Sequence, residues 1–493
     1  MTAFHPGQLV MVDIPSKVLD DATAAFLRAN QVRAVCLFRK NLGTEAEVRQ
    51  LTHDLREVMG PKALIGLDQE GGSVVRATFL PQPPSAMALG AADDTALAER
   101  VGAAVGRGLA SIGVNWNFAP VLDINNNPAN PVIAERSFSE NADAVTRLAG
   151  AWMRGSLKEG VACCVKHFPG HGDTHVDSHL ALPSVDKSRA QLDALELRPF
   201  RALRDEAPAL MTAHIVYPQI DPEHPATLST RILRDILRDE WGYNGVVITD
   251  ALMMKAIFER YGYVRAAVMA IQAGADMILA QGSLAEQGLS IQALSDALVN
   301  GELTLAQCHR ACARLDALAT RYPVRFDDYA GAPREADEQL MRRAWAAGLT
   351  ALRGAQAPAL DAPLRVLVQS EVPTDGVCEA GPSGHQVAKL FTSFTDTQIE
   401  FVPNLQAMDW RQVPQDGRRN IVASTHRLRY GSTAKAWPVD LHLVLWNPFQ
   451  ALDVPGPTVV TWGYADGALD ALQAWLEGRL EAVAQAPVQL DSL

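Results

Sequence analysis

Fourteen consecutive residues, Lys166 to His179 (KHFPGHGDTHVDSH), hold four histidines, two aspartates, one lysine and two glycines. Titratable groups gather in this way where protons or ligands are handled. Asp177 and His179 are two residues apart. At that spacing, in an extended or turned loop, a carboxylate can hydrogen-bond the imidazole, fix its orientation and favour its protonated form. Such a pair can give a proton in one step and take one back in the next. Two other readings stand beside this one. The alternation of His171, Asp173, His175, Asp177 and His179 offers metal-ligand types, but alternation in a loop does not set a coordination shell. The stretch could also be a solvated loop. Three further segments carry chemistry of their own. GVVITD (245–250) ends a buried apolar run on Asp250, an attacking carboxylate or the cap of the helix that follows. GLDQEGG (66–72), followed by Arg76, sets Asp68 beside paired glycines. It is either a ligand-hydroxyl acceptor with room for close approach or a tight turn with a solvated acidic pair. NPANPVIAERSF (127–138) presents Arg136, a ligand clamp or a surface charge.

The elements that must position these groups are legible in the apolar pattern. Eight short runs recur: LVMVDI (9–14), AVCLF (34–38), ALIGLD (63–68), VNWNFAPVLDI (114–124), ACCVKHF (162–168), ALMTAHIV (209–216), GVVITD (245–250) and ADMILA (275–280). They are nearly continuous in apolar character, as parallel strands buried on both faces require, and amphipathic stretches separate them. Eight β-then-α units over about 280 residues predict an α/β fold with an N-terminal (β/α)8 TIM-type barrel. An open doubly wound sheet is the competing architecture. Asp68, Asp123, Lys166, His167, His214 and Asp250 fall at or near the C-terminal ends of these runs, the rim where barrel enzymes place their reacting groups. Residues 1–322 read as the barrel and 323–337, rich in Pro, Gly and charge, as a linker. Residues 338–493 read as a smaller α/β sandwich domain. It opens on a helix (EQLMRRAWAAGLTAL) and carries the runs LRVLVQS, IEFVPN, NIVAST, DLHLVLWN and PTVVTWG.

The chain has 493 residues, a formal net charge of −12, 48% hydrophobic and 20% charged residues. That composition fits a globular protein, and its sign argues against nucleic-acid partners. No apolar run approaches the roughly 20 residues of a membrane span, and the N-terminus does not read as a signal peptide. Cys36, Cys163, Cys164, Cys308, Cys312 and Cys378 lack zinc-site spacing and read as reduced thiols, in keeping with a cytoplasmic location. GxGxxG and GxxxxGK[ST] are absent where strand meets helix, so no nucleotide cofactor is implied.

Taken in order, GLDQEGG with Arg76, NPANPVIAERSF, KHFPGHGDTHVDSH, MTAHIVYP with PATLS, and GYNGVVITDALMM resemble family 3 glycoside hydrolases. The likeness is to the bacterial β-N-acetylglucosaminidase (β-N-acetylhexosaminidase) branch that trims peptidoglycan fragments, and it covers most of residues 5–320. The tail resembles, more loosely, the second domain of longer members. The resemblance implies a retaining enzyme that removes terminal non-reducing β-N-acetylglucosamine, a carbohydrate as its partner, and neither metal nor organic cofactor. It implies Asp250 as nucleophile and Asp177 with His179 as acid/base dyad. Asp68, Arg76, Arg136, Lys166 and His167 would bind the sugar. A β-glucosidase, a variant that uses phosphate as acceptor, and an inactive sugar-binding protein are the alternatives. The glycines around the dyad predict a loop that opens and closes. The natural substrate, the oligomeric state and the role of residues 338–493 stay open.

Overall fold

The computed structural model describes residues 4–177, 182–372, 378 and 380–490. Its first half is a closed barrel of eight parallel strands: β1 (Val10–Asp13), β2 (Ala34–Cys36), β3 (Leu64–Leu67), β4 (Trp116–Asn117), β5 (Ala162–Phe168), β6 (Ala209–Thr212), β7 (Val246–Ala251) and β8 (Met277–Ala280). The ring closes where β1 pairs with both β8 (Val10 against Ile278) and β2 (Met11 against Ala34). Every residue of β5 is buried, Lys166 and His167 included, so the continuous run ACCVKHF reflects burial on both faces. Helices clothe the barrel, and several are started by a side-chain cap. Thr44, for example, caps Glu45–Met59 in a reciprocal exchange with Glu47.

β4 is shorter than the run 114–124 predicts. Pro120 has no N–H to give to a ladder, and the regular strand stops before it. The segment still tracks β5 through looser bonds, from Cys164 N to Ala119 O (3.1 Å) and from Leu122 N to Lys166 O (2.7 Å). That keeps Asp123 over the rim.

The second half is a six-stranded sheet: β9 (Thr350–Leu352), β10 (Leu364–Gln369), β11 (Thr397–Val402), β12 (Arg419–Ser424), β13 (Leu441–Val444) and β14 (Thr458–Val460), in the order β9-β14-β13-β12-β10-β11. All neighbours are parallel except β9, which runs antiparallel to β14. Two details correct the sequence reading. The helix opens at Ala332, inside the stretch 323–337 taken as a linker, and ends at Gly348; Thr350–Leu352, read as its last turn, is strand β9. Asp337 explains the first. It is buried and accepts from Arg107 Nε (3.0 Å), Arg107 Nη2 (2.6 Å) and Tyr329 Oη (2.9 Å), which bolts this helix to the barrel.

The two halves share an apolar seam. Met87, Ala88, Ala91 and Ala134 from the barrel side pack with Trp345, Phe449, Trp462 and Val488. Polar ties run beside it, from Ser85 Oγ to Trp462 O (2.6 Å) and from Ser139 Oγ to Pro487 O (2.7 Å). Among the described residues no helix is long and apolar enough to cross a membrane.

Candidate active site

The strand ends of the barrel open into a cavity of about 610 Å³ whose lining includes Asp68, Glu70, Arg76, Arg136, Lys166, His167, His171 and Asp250. Six residues singled out in the sequence, Asp68, Arg76, Arg136, Lys166, His167 and Asp250, therefore meet in one place. Asp250 stands at the end of β7, is half-buried, and accepts from Ala251 N (2.8 Å). His214 steadies that strand end: its Nε2 donates to Ala251 O (3.0 Å).

The floor is an ion network. Lys166, only 2% exposed, reaches Asp68 Oδ1 (2.6 Å) and Glu70 Oε1 (2.5 Å). Arg136 grips Glu70 with both arms, from Nε (2.9 Å) and Nη2 (2.8 Å), and gives Nη1 to Val132 O (3.1 Å). Arg76 Nη2 lies 3.6 Å from Asp68 Oδ2. Burial alone would raise the Glu70 carboxyl, but Arg136 and Lys166 outweigh it and hold it well below the usual carboxylate range. Burial likewise disfavours both cations; Glu70 beside Arg136, and Asp68 with Glu70 beside Lys166, overcome it and hold each above its ordinary value. Arg136 thus has its donors largely committed to protein acceptors, while Lys166 has committed two of three.

A second network orients the imidazoles. Asp123 is fully buried. Its Oδ2 meets His167 Nδ1 (2.6 Å), and its Oδ1 accepts the backbone N–H groups of His167 (3.1 Å) and His171 (2.7 Å). Burial works against the Asp123 carboxylate, but the His167 and His171 side hold it low. His167 Nε2 lies 3.5 Å from Arg136 Nη2, so the two networks touch. Burial, with His167 alongside, holds the His171 ring down to about 4.

That value sets an acid limit on stability. An imidazole that titrates near 6.5 when unfolded and near 4 when folded lets the unfolded chain take the proton first. The contribution is complete above about pH 6.5 and drains away as pH falls toward 4, a loss on the order of 3 kcal/mol. His426 and His442 are lowered by burial and act in the same direction. Thermal unfolding of the wild type is therefore expected to fall more steeply between pH 7 and pH 4.5 than that of His171→Asn. Parallel curves would clear His171 of the effect.

The loop beyond β5 is tied down as far as Asp177. Asn130 Nδ2 donates to His171 O (2.8 Å), Tyr217 Oη to Gly170 O, and Lys187 pairs with Asp173 (2.7 Å). Gly172 is obligatory there: a Cβ would lie 1.6 Å from Ile124 O. Asp177 is 4% exposed and pairs across the domain boundary with Arg427 Nη2 at 3.1 Å. His179, the other half of the expected dyad, lies outside the described residues, so the pairing and the loop's movement rest on the sequence.

Sequence reasoning missed several contributors. Glu70 stood in plain view in GLDQEGG but read as part of a turn. In sequence His171 shows only a metal-ligand type, and Asp123 only a rim carboxylate. The second domain supplies Cys378 and Ala380 to the cavity wall, and nothing local in the sequence announces that. Trp446 Nε1 donates to Glu135 (2.9 Å), which Ser73 Oγ also reaches (2.5 Å), securing the loop just before Arg136. Among the described residues no cluster of three or more His, Cys, Asp or Glu is arranged to hold a metal ion.

Known proteins share this architecture. Residues 3–318 match the N-terminal domain of glycosyl hydrolase family 3. Beta-hexosaminidase A of Pseudoalteromonas piscicida is 37% identical over 316 residues, 58% of this chain and 53% of that protein, so the match spans about half the relative's length. A beta-hexosaminidase of Neisseria meningitidis serogroup C (strain 053442) is 38% identical over 56% of this chain and 78% of its own length. The solved structure of a family 3 beta-N-acetylglucosaminidase from Paenibacillus sp. str. FPU-7 matches 99% of this chain and 98% of that one, with a TM-score of 0.87 and 33% identity. With a barrel matched by sequence and a whole chain matched in shape, this protein belongs to glycosyl hydrolase family 3.

Proposed function

We propose that this chain is a retaining β-N-acetylhexosaminidase that removes terminal non-reducing β-linked N-acetylglucosamine, with peptidoglycan fragments or related saccharides in the cytoplasm as its substrates. The observation that carries the reading is the convergence of Asp250 with Asp68, Arg76, Arg136, Lys166 and His167 on one rim cavity. The names of the relatives, hexosaminidases and a β-N-acetylglucosaminidase, support the substrate class. The six free cysteines suit a reducing compartment.

In this reading Asp250 attacks the anomeric carbon and the bond to the leaving oxygen breaks, which gives a glycosyl-aspartate. His179, oriented by Asp177, gives that oxygen a proton and then takes one from the water that frees the sugar. Lys166 offers its remaining donor, and Asp68 its acceptor oxygens, to ring hydroxyls. Arg136 acts mostly by holding Glu70.

The test compares aryl β-N-acetylglucosaminide with aryl β-glucoside, each with and without phosphate. The N-acetyl substrate is expected to win in kcat/KM by about 100-fold or more, the discrimination available to a site that recognises a polar substituent. Water is expected as acceptor. Preference for the glucoside, or a glycosyl phosphate as product, overturns the reading.

A further inference from the structure

We propose that the second domain takes part in the reaction through Arg427, a positioning residue that fixes the Asp177 carboxylate and shares its charge with the acid/base histidine. The inference rests on the reading of Asp177 and His179 as the acid/base dyad.

Arg427 follows β12 at the C-terminal end of the second sheet, 250 residues from Asp177 along the chain, yet its Nη2 lies 3.1 Å from Asp177 Oδ2. Both side chains are largely withdrawn from water, at 13% and 4% exposure. The loop that presents Arg427 has no regular structure of its own, and buried side chains grip its backbone instead. Asn447 Nδ2 donates to Arg427 O (2.6 Å). Gln450 Nε2 donates to His426 O (3.0 Å) and Leu428 O (2.7 Å). Asp453 accepts from Tyr430 N (2.9 Å) and pairs with Arg429. Buried polar groups spent in this number on one surface loop fit a loop whose geometry matters beyond it. On its other side Arg427 Nη1 sits 4.0 Å from Cys378 Sγ, and Cys378 lines the catalytic cavity. The guanidinium therefore stands between the cavity wall and the barrel loop that carries the proton donor.

The charge logic gives a direction. A carboxylate beside an imidazole stabilises the imidazolium; a permanent guanidinium on that carboxylate takes back part of the effect and makes the imidazolium a readier donor. Cys378 lies against Arg427, and Glu140, Arg429, Lys435 and Asp453 line a surface pocket with it; His426 precedes it in the chain, and Asp173, with its partner Lys187, and His175 belong to the loop of Asp177. Arg429 is matched by Asp453, Lys187 stands between Asp173 and Glu196, and burial holds His426 down to about 4. None of them replaces the charge of Arg427.

The test uses the full chain with Arg427→Met, Arg427→Gln and Arg427→Lys, each checked by thermal melting. The substrates are an activated aryl and an unactivated alkyl β-N-acetylglucosaminide. Loss of the charge should move the alkaline limb of the kcat/KM profile upward by about half a pH unit or more. It should slow the alkyl substrate about 10-fold more than the aryl one, the part of general acid catalysis that depends on placing the donor. Lysine should return the limb toward wild type. An unmoved limb with equal slowing of both substrates, in whichever neutral variant folds, overturns the proposal and leaves Arg427 a domain tie. His179→Gln run in parallel separates the failures. If it spares the alkyl substrate, the dyad reading itself falls and the proposal with it; if it slows that substrate selectively, the dyad stands and the Arg427 variants decide.

Discussion

Asp250→Asn is expected to lower kcat on an aryl β-N-acetylglucosaminide on the order of 10⁴-fold, the scale seen when a group central to the chemistry is removed. The melting temperature should stay within a few degrees. The reason lies in where the side chain sits. Asp250 stands at the end of the buried strand β7 but is itself only half-buried, and its Oδ1 accepts from the next backbone N–H. Asparagine keeps the shape and the acceptor oxygen, so folding has little to lose. In the proposed reaction, what disappears is the anionic oxygen that would bond to C1 and balance positive charge developing there. Steady-state rates with the anomeric configuration of the first product, followed by NMR, provide the check. More than a tenth of wild-type turnover would remove Asp250 from the nucleophile's role.

Glu70→Gln is the second large effect, and here stability and activity fall together. Among the described residues, Glu70 is the carboxylate that touches both Arg136 and Lys166 in the floor network. Without its charge, buried Arg136 loses its carboxylate partner in the floor network, and Lys166 keeps only Asp68, which it shares with Arg76. Removing one partner of a buried pair costs about 3–5 kcal/mol, because the other charge stays desolvated and uncompensated. Arg136 also loses its bidentate anchor, and Lys166 one of two. Misplacement of substrate-positioning groups by about 1 Å can cost about 100-fold in rate, so kcat/KM should fall on that scale even in the folded fraction. Denaturant unfolding together with kinetics at low temperature checks both halves. A loss under about 1 kcal/mol would mean the network is solvated like an ordinary surface pair.

The barrel was legible because parallel strands buried on both faces leave continuous apolar runs, and all eight runs became barrel strands. Boundaries were less so. Thr350–Leu352 looked like helix because Leu349, Ala351 and Leu352 continue the apolar pattern of the turn before; only antiparallel pairing with Thr458–Val460 distinguishes the strand. The candidate site was legible where one motif carries its own meaning: Lys166, His167 and Asp250, each read from its own segment, line one cavity. It was not where the partner comes from far away. Glu70 acquires its importance from Arg136, 66 residues on, and Asp177 meets Arg427 at a distance of 250. A local reading sees a carboxylate and an arginine but not that they meet.

The seam between the halves has a consequence for how the molecule comes apart. Met87, Ala88, Ala91 and Ala134 belong to the barrel, yet their cover is Trp345, Phe449 and Trp462 from beyond residue 322. An excised barrel would present that greasy plate to water and is expected to stick to its neighbours; in the whole chain a single calorimetric transition is expected, and two separate ones would show that the seam does not couple the halves. Ala134 lies two residues before Arg136. Loosening the joint is therefore expected to disturb the cavity rim at Arg136 before either half has unravelled.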